Sequence, residues 1–154
     1  MPTSSSNGHR PATGNRGRSI LGYLLRAGTA AALVLDGVVH LKDAHFYDPN
    51  KGSLLTQGEL FRIQAAIAIA IAVLVVVWPR RSVWAVAFLV AASAVGAVVL
   101  YRYVDVGRLA GLPNMFEPSW GPPGKLLSAL AEGAGALLAA AGLAVTVRRP
   151  SADR

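Results

Sequence analysis

Asp36, His40 and Asp43 stand at i, i+4 and i+7, a spacing that puts two carboxylates and an imidazole on one helical face. Such groups exchange protons near neutral pH or act as oxygen and nitrogen ligands to a divalent ion. Glu132 lies in a distant apolar stretch, and Glu59, Arg62, Gln64 and Arg102 sit at the margins of others. As metal ligands, Asp36, His40 and Asp43 lack a second histidine at H-x-x-x-H spacing, so they remain weak candidates and no metal centre is assigned from sequence. His40 is the only histidine inside an apolar run, which removes a haem held by two histidines. Ser53, Ser119 and Ser128 have no nucleophile-elbow motif around them. The absence of cysteine removes thiol chemistry and disulfides. No catalytic residue and no cofactor are assigned, and an enzyme is not the favoured reading.

The elements that must position these groups are long apolar runs. Ile20 to Leu41, read as ILGYLLRAGTAAALVLDGVVHL, is long enough to cross a hydrocarbon layer of about 30 Å at about 1.5 Å per residue. Further runs cover 60–78, 83–103 and 126–147, and 53% of the chain is hydrophobic. The expected fold is all-α, a four-helix transmembrane bundle over residues 20–147. Thr56 and Glu59 form a T-x-x-E capping box ahead of the second helix. Pro122 and Pro123 stand where the fourth should start. Trp78, Trp84, Tyr101 and Tyr103 bracket the second and third spans, as interfacial aromatics do. The stretch LPNMFEPSWGPPG should form a compact cap over one end.

Residues 1–19, rich in Ser, Gly, Pro, Asn and Arg, are expected to be a disordered basic tail, and 148–154 a short cytoplasmic one. A cleaved signal is the competing reading of the N-terminus, but its apolar run exceeds the roughly 7 to 15 residues of a signal core. The net charge of +7 does not form a basic face interleaved with aromatics, so nucleic acid is not an expected partner. The lipid bilayer is, with a membrane protein or a second copy of the chain as a further one. The tail, the 79–82 turn and the C-terminus carry eight Lys and Arg against four in the two longer loops, which places both termini in the cytoplasm of a bacterial inner membrane.

Under that topology each helix brings an ionisable group to the same outer third of the bilayer. Charges there cost on the order of 2.5 to 3.5 kcal/mol each, so they should face protein. Asp36 or Glu132 is therefore expected to pair with Arg62 or Arg102, with His40 between them and Glu59 and Gln64 nearby. Such a cluster would lock helix packing or dock a partner. Alternatively, Asp36, His40 and Glu132 would serve a small-ligand or proton-coupled binding or transport protein.

Gly37 to Leu41 (GVVHL), Leu60 to Gln64 (LFRIQ), Phe116-Glu117 and Glu132 resemble motifs of small four-helix membrane proteins of actinobacteria. In size and span count the chain is also similar to DoxX-like membrane proteins. The resemblance implies architecture and membrane location, and no activity.

Overall fold

The computed structural model describes residues 13–122 and 124–147. Four helices carry the fold: α1 (Thr13–Asp43), α2 (Gln57–Val77), α3 (Arg81–Tyr103) and α4 (Lys125–Val147), with a 3-10 turn at Ala44–Tyr47. All four are long and apolar enough to cross a membrane. Among the described residues there is no strand, only an isolated bridge between Lys51 and Thr56.

Helix α1 starts earlier than its apolar run. Its 31 residues begin at Thr13, so 13–19 belong to the helix and not to a tail, while 1–12 and 148–154 lie outside the described residues. No proline follows Pro11 before Pro49, and nothing in TGNRGRS interrupts a helix once the apolar run has nucleated it. Helix α2 opens with the capping box: Glu59 N–H donates to Thr56 Oγ1 at 3.0 Å, and Thr56 N–H to Glu59 Oε2 at 2.7 Å. It ends before Pro79, which has no N–H to continue it. The three-residue turn 78–80 forces α3 to run back antiparallel.

Helix α1 packs against α2 and α4, and α3 against α4, whereas α2 and α3 touch least. The bundle is thus a ring with one loose seam. The helices meet through small residues: Ala65, Ala68, Ala87 and Ala139 are fully buried. Large aliphatics point outward instead, Leu89 at 62% and Leu137 at 75% exposure. At the end near the 78–80 turn, Trp84 is buried on Gly142, where any Cβ would strike the indole.

The opposite end is closed by loops. Leu54 N–H donates to Gly111 O at 3.0 Å, the Asn50 side chain reaches both Gln57 and Asn114 O, and Glu117 N–H bonds Tyr101 O at 3.0 Å. The proline-rich segment is held over the helix ends by Lys125, whose ammonium donates to the carbonyls of Glu117 and Ser119. Gly124, at φ +82°, turns the chain into α4 against Asp43 and Val39. That turn sets where Ser128 and Glu132 point.

Candidate functional site

Beneath the loops, α1 supplies Asp36 and His40, and α4 supplies Ser128 and Glu132, both pairs at i, i+4. All but His40, which is part-buried, are buried, Asp36 and Glu132 at 1% exposure. His40 Nδ1 lies 2.8 Å from Asp36 Oδ1. The Ser128 hydroxyl is 2.8 Å from the same oxygen, 3.1 Å from Glu132 Oε1 and 3.4 Å from His40 Nδ1. From α2, Gln64 Nε2 donates to Asp36 Oδ2 at 3.4 Å. The His40 ring meets Phe61 edge-on at 4.8 Å between centroids, and Phe61 touches Tyr47 at 4.9 Å.

The cluster forms one wall of a cavity of about 420 Å³ lined by all four helices and the loop residues Leu112, Met115 and Glu117. Most of its remaining surface is apolar, from Leu60, Ile63, Ala94, Ala97 and Val98. Ile63 on α2 and Ser93 on α3 line it and are themselves exposed, so it communicates with the outside along the loose α2–α3 seam.

Counting hydrogens shows what the cluster lacks. A serine hydroxyl has one proton, yet Ser128 faces two carboxylate oxygens and a ring nitrogen. Glu132 Oε2 is buried with no hydrogen-bond partner. Two carboxylates this close in a low-dielectric interior cannot both remain charged without a proton or a cation between them.

Of the residues singled out by sequence, the structure therefore brings together Asp36, His40, Gln64 and Glu132. It does not bring Glu59, Arg62 or Arg102. Glu59 is spent on the α2 cap and is exposed. The expected arginine–carboxylate pairs across the bundle do not form. Arg62 makes a two-pronged bond to Asp48, at 2.7 and 2.8 Å, on the exposed surface, where neither charge is fully desolvated. That guanidinium holds the Asp48 carboxyl below the usual carboxylate range. Arg102 lies over the rings of Tyr103 and Trp120, 5.2 and 5.8 Å from their centroids, and pairs with no carboxylate among the described residues. Asp43 lines the cavity outside the tight group, which takes Glu132 in its place.

In sequence Ser128 stands out only as a serine without a nucleophile-elbow motif. Its position one turn before Glu132, mirroring Asp36 and His40, is the signal that marks it. Phe61, Tyr47 and Tyr101 carry no such signal, because aromatics at helix ends also read as interfacial anchors.

Fold and site together define an all-helical four-helix bundle of membrane-spanning length with a carboxyl–imidazole cluster buried beside a cavity. No family model, curated protein or solved structure matches this chain.

Proposed function

We propose that the chain is a multi-pass protein of a bacterial inner membrane with both termini in the cytoplasm. Its loop-end cavity binds a lipophilic small molecule entering from the bilayer, whose polar group meets Asp36, His40 and Glu132. Three features support the membrane setting: outward aliphatics such as Leu137, an alanine-lined interior, and Lys and Arg concentrated at the 79–82 turn and the two chain ends. A mouth on the α2–α3 seam near Ser93, midway along α3, then opens into hydrocarbon.

The observation that carries the reading is a cavity of about 420 Å³, mostly apolar, on whose wall stand His40, Ser128 and Glu132, the last with a buried oxygen that no protein donor reaches. Asp36 does tie α1 to α2 and α4, but a purely structural lock closes its own hydrogen bonds. An apolar cavity of this size with a few convergent polar groups has the form of a small-molecule site.

The test compares the native chain, purified in mild detergent, with Ala97→Trp, which fills the cavity from α3. Mass spectrometry of solvent extracts should find a lipophilic molecule retained in stoichiometric amount by the native chain and lost from the variant, with helical circular dichroism unchanged. Identical extracts from two folded proteins refute the pocket.

A further inference from the structure

We infer that Asp36, His40 and Glu132 hold a divalent first-row metal ion at the polar wall of the cavity. The inference goes beyond the lipophilic pocket and does not depend on it.

One ligand atom from each of the three residues lies within 4.8 Å of the others. Donors around an ion with bonds of about 2.1 Å sit about 3 to 4 Å apart, so closing on an ion requires movements of under about 1 Å. The chelate is built across two helices, with Asp36 and His40 one turn apart on α1 and Glu132 facing them from α4. A second observation points to the same occupant: Glu132, at 1% exposure, keeps one carboxyl oxygen buried with no N–H or O–H of the protein donating to it.

Charge decides what fits. With both carboxyls ionised and the imidazole neutral, as ligands to a metal must be, the three carry −2, and no lysine or arginine among the described residues bonds to any of them. An ion there takes the place of the protons they would otherwise hold. A divalent cation makes the buried assembly neutral, whereas a monovalent one leaves a net charge in a low-dielectric interior. With one nitrogen and two oxygen donors and no thiolate, the site suits Zn²⁺, Mn²⁺ or Fe²⁺ and not a soft ion such as Cu(I).

The surroundings match the way metal ligands are held. Ser128 and Gln64 donate to the two oxygens of Asp36 and fix its carboxylate plane, as outer partners of a ligand do. His40 and Glu132 also line the cavity, so coordination positions not filled by protein would face it. A site with three protein ligands and an open side is the form that metals take where they bind a further molecule.

Co²⁺ is the probe, because nitrogen and oxygen coordination gives it visible absorption bands. The full chain, purified without a polyhistidine tag, stripped with EDTA and held in nanodiscs, should bind one equivalent of Co²⁺, release it to competing Zn²⁺, and melt at a higher temperature when loaded. Glu132→Gln and His40→Ala should each weaken binding about 100-fold or more, since even outer-shell changes cost about 10- to 100-fold. His45→Ala removes an exposed imidazole outside the cluster and should bind as the native chain does. Ala97→Trp separates the two readings, because it empties the cavity of lipophile and leaves the Co²⁺ equivalent in place. The inference is overturned if the folded native chain takes up no stoichiometric Co²⁺. It also falls if the signal follows His45, or if folded Glu132→Gln and His40→Ala bind as the native chain does. Should both variants fail to fold, Ser128→Ala decides, with about a tenfold loss or more required.

Discussion

Ser128 on α4 donates its hydroxyl proton to Asp36 Oδ1 on α1 across 2.8 Å, joining two buried side chains 92 residues apart in sequence. Ser128→Ala keeps the volume nearly unchanged and leaves that oxygen to His40 alone. Stripping one partner from a buried carboxylate costs about 1 to 3 kcal/mol. The variant should melt lower in detergent, and Asp36→Asn should reduce the effect in a double-mutant cycle, because the two residues share one network. Equal melting of Ser128→Ala and the native chain would show that the contact carries no weight.

The Arg62–Asp48 pair behaves differently because it is exposed. A carboxyl whose pKa is lowered by folding contributes stability above its unfolded pKa of about 3.9 and loses it as pH falls through the lowered value. Arg62→Gln should therefore lower the melting temperature slightly at pH 7. The difference should shrink below about pH 4 and vanish in about 1 M salt, where charges on the surface are screened. A difference that grows on acidification would contradict the assignment.

Both contacts bear on how much the sequence disclosed. The apolar runs mark α2, α3 and α4 to within three residues at each end, because hydrocarbon length and the breakers Pro79 and Pro122 act locally. The start of α1 at Thr13 was hidden, since polar residues carried into helix by a neighbouring apolar run show no pattern of their own. Depth along the helices identified Asp36, His40 and Glu132. Depth says nothing about azimuth, which is why the arginines were misplaced. Arg62 is two residues from Gln64, about 200° around the helix at about 100° per residue, so Gln64 reaches Asp36 while Arg62 faces solvent and Asp48. Arg102 lies near the right face but one level too high, among the aromatic rings of the loop end.

Orientation can be read chemically because the chain has no cysteine of its own. Ser119 lies in the exposed part of the loop before α4, and Ser82 in the exposed first turn of α3, at the opposite end of the bundle. Labelled on intact cells with a membrane-impermeant maleimide, Ser119→Cys should react at once. Ser82→Cys should react only after permeabilisation. The reverse pattern would invert the topology and put the cavity's loops in the cytoplasm.

Gly124 and Gly96 should respond oppositely to the same added methyl. At Gly124 the backbone has φ +82°, and a Cβ would stand 2.7 Å from Val39 Cγ1 and 2.5 Å from Asp43 Oδ2. Alanine there meets an unfavourable backbone and a filled space, so Gly124→Ala should lose more than about 1 kcal/mol. Because this turn sets the start of α4, the shift also draws Ser128 and Glu132 away from Asp36 and should weaken Co²⁺ binding. At Gly96 in α3 a Cβ meets nothing within 4 Å and the backbone is already helical. Gly96→Ala should gain about 0.5 to 1 kcal/mol from reduced chain entropy, with metal binding unchanged. Thermal melts of the two variants, each with and without Co²⁺, separate the cases. A Gly124→Ala protein that melts and binds as the native chain does would mean that this turn does not place the cluster.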